Sequence, residues 1–187
     1  MAEPRALWLE RQFGARITWL PFQLHPEYPP EGIPRADLIA RYGPESQERI
    51  RSWFADEDLA YAPPPDVVSN TRLALELGEG AREEGLHRPF HDRLMDAYWA
   101  EELDLSLRPV LEQLARSVGM SEAGISRALD DRAWAPAVDS STARAQSAGV
   151  TGVPAFVIDW RVLVMGAQPR EVLAQAVAQA RESESAP

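Results

Sequence analysis

The sequence predicts an α/β fold, a small mixed β-sheet flanked by helices and interrupted by an inserted all-helical subdomain. Three observations carry this. A β-branched and aromatic run, Arg16-Ile17-Thr18-Trp19-Leu20, follows a helical stretch near the N-terminus. Two apolar runs, Ala155-Phe156-Val157-Ile158-Asp159 and Val162-Leu163-Val164-Met165, lie near the C-terminus and read as a buried hairpin with a turn of about two residues. Between these ends the pattern switches to helical spacing over roughly 65 residues, with no alternating strands.

Taken in order, Pro4 to Phe13 sets Leu7, Trp8 and Phe13 among good helix formers, and Gly14 can end that helix in the left-handed conformation. Pro21 closes the Arg16–Leu20 strand, and the proline-rich stretch from Pro21 to Pro34 reads as an irregular loop. Two short helices are expected between Ala36 and Phe54, broken at Gly43-Pro44. Ser69 or Asn70 caps a helix to about Gly85, in which Leu73, Leu77 and Ala81 recur at spacing four. A further helix covers about Phe90 to Glu101, Ser106 is a cap for the next, and Ser121 opens another. A helix ending at Gly149 leads into the hairpin. The closing helix starts near Pro169 and shows Val172, Leu173, Ala176, Val177 and Ala180 on one face. The expected divisions are 1–62 and 134–182 for the two parts of the sheet domain, 63–133 for the helical insertion, and a short tail at 183–187. Disorder is expected from Glu182 onward.

Composition narrows the chemistry. The 187 residues include no cysteine, which excludes disulfides, thiolate metal sites and a sulfur nucleophile. All 19 basic residues are arginine, so Schiff-base lysines and a phosphate-loop lysine are absent as well. A formal charge of −10 argues against nucleic acid and anionic membrane surfaces as partners. No apolar run reaches the ~18 residues of a membrane span, and Met1-Ala2-Glu3-Pro4-Arg5 lacks the pattern of a signal peptide, so the expected location is cytoplasmic.

His87 and His91 stand four apart, a metal-ligand spacing on a helix. Pro89 intervenes and no third ligand is evident, so exposed or capping histidines are expected and no metal. His25 reads as a loop residue making a local hydrogen bond. The six tryptophans are scattered and suit core packing better than ligand stacking. The run Ala81-Arg82-Glu83-Glu84 reads as a solvated helix face.

Gly152-Val153-Pro154-Ala155-Phe156 is the most informative string. A proline just before a buried strand lacks a ladder donor and belongs at the first strand residue. Together with Trp19-Leu20-Pro21-Phe22-Gln23-Leu24-His25-Pro26, Glu31-Gly32, Ser69-Asn70-Thr71 and Ala97-Tyr98-Trp99, it makes the chain resemble the DsbA-like thioredoxin family, and within it the FrnE-like oxidoreductases. The resemblance covers nearly the whole chain. It implies a thioredoxin-like fold and thiol-disulfide oxidoreductase ancestry. It also implies that Pro154 matches the family's cis-proline, with Gly152, Val153 and Pro154 as substrate-binding residues for an extended peptide or a small thiol.

Two family features have no counterpart here: the first strand, central in the sheet, and the Cys-x-x-Cys motif at the start of the first long helix. The chain therefore either lacks a preceding segment or is a degenerate member, and the smooth match from Ala2-Glu3-Pro4 onward favours the former. No catalytic residue carries over, and this polypeptide is expected to be inactive in dithiol exchange. Two alternatives stand beside it. One is a non-redox peptide- or thiol-binding module. The other is an enzyme like glutathione transferase kappa or 2-hydroxychromene-2-carboxylate isomerase, for which glutathione would be the cofactor. Self-association through an open sheet edge is a further expectation.

Overall fold

The computed structural model describes residues 2–184. Along the chain run α1 (Ala2–Phe13), β1 (Ile33–Pro34), α2 (Arg35–Tyr42), α3 (Glu45–Asp56), β2 (Val67–Val68), α4 (Arg72–Glu83), α5 (His87–Trp99), α6 (Arg108–Ser117), α7 (Glu122–Leu129), α8 (Ala135–Ser147), β3 (Ala155–Ile158), β4 (Val162–Met165) and α9 (Arg170–Glu184). The fold class is α/β, as the sequence predicts. Where one mixed sheet is predicted, the described residues hold two antiparallel pairs, β1 with β2 and β3 with β4.

The chain divides into two compact units, one of residues 2–20 and 143–184, the other Pro21–Thr142. The sequence reading divides it at 62/63 and 133/134, further into the chain at the first boundary and slightly earlier at the second. The contacts of residues 21–62 explain the first difference. Arg35 donates from Nε to the Pro65 carbonyl at 2.6 Å, and the Ala62 amide donates to the Trp99 carbonyl at 2.7 Å. Asn70 Nδ2 reaches back to the Tyr28 carbonyl at 2.9 Å.

In the helical unit, α4 is the central element, packed against α5, α6 and α7. Leu77, Ala81, Phe90, Leu111, Leu114, Ala128 and Trp134 are the middle of its core. Ser121 Oγ accepts from the Gly124 amide at 2.9 Å and caps α7 as predicted, whereas the N-cap of α4 is Thr71, one residue past the predicted Ser69 or Asn70, and Asn70 Oδ1 makes a turn just before it by accepting from the Arg72 amide at 2.9 Å. Ser106 does not cap α6. Its hydroxyl is engaged by Asp104 Oδ1 at 2.5 Å, which leaves Leu107 at the N-cap position. The α5 helix begins at His87, earlier than predicted, because Pro89 lies in its first turn, where a missing amide hydrogen costs nothing. The proline-rich stretch is not wholly irregular, since Ile33–Pro34 pairs with Val67–Val68.

In the hairpin unit, α1 ends at Gly14 with φ +65°, the left-handed conformation predicted. Residues 14–20 form no strand. Side chains from Ala15 to Leu20 alternate between half-buried and exposed, the period of a strand, but no ladder joins them to the described strands. High β propensity yields a strand only where a partner backbone supplies the hydrogen bonds. The β3·β4 hairpin pairs Ala155 with Met165 through Ile158 with Val162 and turns over three residues, of which Asp159 and Trp160 have positive φ. Phe156, Ile158, Val162 and Val164 pack with Leu9, Leu173, Ala176 and Val177. Val172 is exposed and lies off that face, because the buried positions follow Leu173, Ala176, Val177 and Ala180. The helix α9 continues through residues 182–184, predicted to be disordered; residues 185–187 of the expected tail lie outside the described ones.

Candidate functional site

The loop between α8 and β3 is built by its glycines and by one buried valine. Gly149 takes φ +88° just past the end of α8, and the Val150 amide caps that end by donating to the Ala145 carbonyl at 3.0 Å. Val150 is buried, which anchors the chain at this point; Thr151 and Val153 then turn outward, Val153 with 56% of its surface exposed. The Val153–Pro154 peptide bond is cis. Past it, the Pro154 carbonyl accepts from the Gly166 amide at 2.8 Å, which fixes the register of the hairpin.

That bond also fixes which way each main-chain group points. In an antiparallel pair, bonded and non-bonded residues alternate, so Phe156 and Ile158 face β4 while Ala155 and Val157 direct their N–H and C=O groups away from it. Among the described residues, no hydrogen bond engages the main chain of Gly152 or Val153. A Cβ on Gly152 would meet only Met165 Cε, at 3.9 Å, so the surroundings leave this position unfilled. The three residues singled out by sequence, Gly152, Val153 and Pro154, thus lie together on one short open segment. They offer main-chain donors and acceptors, with no acid, base or nucleophile among them.

The other candidates are elsewhere. His25 stacks on Tyr28 with ring centroids 4.4 Å apart, and its Nδ1 lies 2.9 Å from Glu27 Oε1. The rings of His87 and His91 are stacked at 6.2 Å between centroids. They are half-buried, where exposed or capping histidines are predicted. Burial, with the nearby Arg82 charge, pushes His87 down to about 4, and burial lowers His91 too. Among the described residues, no group of three or more potential ligands gathers to hold a metal, and no helix is long and apolar enough to cross a membrane. Trp160, at the hairpin tip, and Trp53, on α3, depart from tryptophan packing, with 79% and 48% exposure.

Sequence reasoning misses the strongest polar cluster. Glu76 is fully buried in α4 and is held by Arg72 and Arg132. The only local signal is a carboxylate one position before Leu77, inside the apolar stripe. Glu83 and Glu84 are exposed, as their reading on a solvated face predicts, and both carboxylates also bond to residues distant in sequence. Glu83 accepts from Trp134 Nε1 at 2.8 Å, and Glu84 accepts from the Ser121 amide at 2.9 Å and from its hydroxyl at 2.7 Å.

Comparison with known proteins places this geometry in context. A family model described as a DSBA-like thioredoxin domain matches residues 1–178. The chain is 25% identical over 164 residues to the uncharacterized protein YwbO of Bacillus subtilis (strain 168), a match covering 86% of this chain and 80% of that one. Among solved structures, a probable DsbA oxidoreductase from Streptomyces coelicolor superimposes with a TM-score of 0.85 at 28% identity, covering 99% of this chain and 83% of that one. A 2-hydroxychromene-2-carboxylate isomerase superimposes with a TM-score of 0.72 over 98% of this chain and 90% of that one, at 17% identity, a likeness of fold alone.

Proposed function

Since the chain belongs to the DsbA-like thioredoxin family yet has no cysteine among its 187 residues, we propose that it acts without dithiol chemistry of its own. Its role on this reading is to hold an extended polypeptide through the main chain of Gly152, Val153 and Pro154. Disulfide exchange begins when a thiolate attacks a disulfide sulfur and expels a second thiolate. The sulfur atoms of this polypeptide are the thioethers of four methionines, which cannot form that mixed disulfide. What supports the binding half of the proposal is the open loop. Val153 is 56% exposed, and no hydrogen bond among the described residues uses its main chain or that of Gly152. Contacts of this kind tolerate varied side chains in the ligand. A chain without disulfides needs no oxidising compartment, which supports action in the cytoplasm.

The experiment has two arms. Insulin reduction by dithiothreitol is followed with and without the pure protein, and an unchanged lag is expected; reproducible acceleration refutes the non-redox reading. Binding of carboxymethylated, unfolded lactalbumin is then compared across variants. Val153→Ala should bind within about twofold of the parent, and Val153→Pro, which removes one amide donor, should bind about tenfold more weakly. Equal binding by all three proteins would sink the main-chain reading.

A further inference from the structure

Within the helical unit, α3 and the chain that follows it line a depression of about 390 Å³, with Arg51, Ala55, Leu59, Tyr61 and Pro63 as its walls. Arg51 and Ala55 lie one turn apart on one face of the helix. Asp58 then takes φ +52° and the Leu59 amide donates to the Phe54 carbonyl at 2.9 Å, which folds Leu59 back beside that face. Tyr61 is held by rings behind it. Phe54, which is buried, lies 5.3 Å from it and 4.9 Å from Trp99, and Tyr61 stacks on Trp99 at 6.2 Å between centroids. The walls are therefore set before any ligand arrives.

The polar groups of this depression have little to do within the chain. Arg51 stands 3.8 Å from Glu48, an exposed and long ion pair, and no hydrogen bond among the described residues engages its guanidinium or the Tyr61 hydroxyl. Burial raises the Tyr61 pKa above its ordinary 10, so the phenol stays a donor at neutral pH. The charges that bear most on that phenol are Arg35, Arg51 and Glu48. Arg35 is half-buried and donates to the Pro65 and Val67 carbonyls and the Tyr98 hydroxyl, but among the described residues it meets no carboxylate. Two cations against one anion make a positive corner in a chain whose formal charge is −10.

We propose that this depression binds a small aliphatic monocarboxylate, whose carboxylate accepts from Arg51 and the Tyr61 hydroxyl while its chain lies along Ala55, Leu59 and Pro63. A guanidinium fork matches the two oxygens of a carboxylate, and the phenol supplies a further donor. The three apolar walls select for a body that a bare inorganic anion lacks. A neutral apolar molecule would cover the walls but leave the positive corner unanswered, and a cation would be repelled by it. The volume is that of a small-molecule site. The site lies within the helical unit and does not depend on the Gly152–Pro154 loop, so either reading can fail without the other.

The probe is sodium octanoate, titrated into the full chain in a calorimeter. Saturable binding at one site is expected, with a Kd of about 1 mM or below. Acetate and 1-octanol, which each lack one half of the probe, should bind at least tenfold more weakly. Arg51→Gln should weaken octanoate about tenfold, and the Arg51 side chain is 68% exposed, so the substitution leaves the fold alone. Tyr61→Phe should weaken it about threefold. Ala55→Phe, at an exposed position, fills the depression and should abolish saturation. Lack of saturation by the parent at about 10 mM octanoate overturns the proposal. So does octanol binding as tightly as octanoate, which would make the site a plain apolar surface. Equal octanoate affinity in the parent and all three variants also overturns it, because the ligand would then lie elsewhere.

Discussion

Arg132 grips Glu76 with two parallel hydrogen bonds, Nε to Oε2 at 2.6 Å and Nη2 to Oε1 at 2.7 Å, and the carboxylate so held has no exposed surface. Arg72, one turn before Glu76 on α4, adds Nε to Oε1 at 2.5 Å. The same Arg72 guanidinium donates to Gln23 Oε1 at 2.9 Å, to the Ala135 carbonyl at 3.0 Å and to Asp139. One buried acid therefore orients an arginine that ties together residues far apart in the chain. Burial alone would raise the Glu76 pKa, but the charged hydrogen bonds from Arg132 and Arg72 outweigh it and hold it below 4.5.

Glu76→Ala should destabilise the protein by about 3 kcal/mol, because it strands Arg72 and part of Arg132 beside a cavity. Glu76→Gln keeps the shape and should fall between the two. Chemical denaturation measures both, and a loss under about 1 kcal/mol for the alanine variant would show that the arginines find water instead.

The pH dependence of stability should have two separate parts. His87 is pushed down to about 4 by burial and by Arg82, from 6.5, and His91 is lowered by burial. In the window between those values the unfolded chain binds protons that the folded one does not, so stability falls as pH drops from about 6.5 toward 4. Glu76 behaves as a depressed carboxylate. Its contribution is intact above 4.5 and is lost as pH falls through its lower folded value. Urea midpoints for the parent and for His87→Gln, taken from about pH 7 to about pH 4.5, should converge as the pH falls if His87 carries the first part. A constant offset between them would assign that part elsewhere.

Two glycines of α4 should respond in opposite ways to the same substitution. A Cβ on Gly80 would lie 3.0 Å from Trp134 Cζ3 and 3.2 Å from Cη2. The ring is buried, tied by its Nε1 to Glu83 and covered by the Arg127 guanidinium at 4.8 Å, so it has little room to recede. Gly78 would meet nothing within 4 Å. Thermal melts should show Gly78→Ala stabilised by up to about 1 kcal/mol through helix propensity, and Gly80→Ala destabilised by about 1 kcal/mol despite the same gain. Stabilisation of both would mean that Trp134 yields freely.

What the sequence reveals and what it hides divide along physical lines. Helix ends at Gly14 and Gly149, the break at Gly43-Pro44, and the cap at Ser121 are legible because each depends on a residue's own backbone freedom or a hydroxyl within three positions. The strand expected at Arg16–Leu20 fails because a ladder depends on a partner that local propensity does not report. Glu76 is opaque for a related reason. Its neutralising Arg132 lies 56 positions away and contributes no periodicity. The Gly152-Val153-Pro154 string is legible as a segment, while the outward direction of Ala155 and Val157 needs the register that the Gly166 amide sets.

The helical unit draws its core from an unbroken stretch, Ala74 to Trp134, whereas the hairpin unit joins Leu9 to Leu173 and closes an arginine-to-carbonyl bond, Arg5 to Gln168, between residues 163 positions apart. The long stretch between its two parts makes no difference to what they bury, but it does set the entropy of bringing them together, which grows by roughly 0.6 kcal/mol for each doubling of the loop. Cutting the chain within that stretch would turn the assembly of α1 with the hairpin from a step within one chain into one between two fragments, to which the burial around Leu9, Val164 and Leu173 and the Arg5–Gln168 bond contribute.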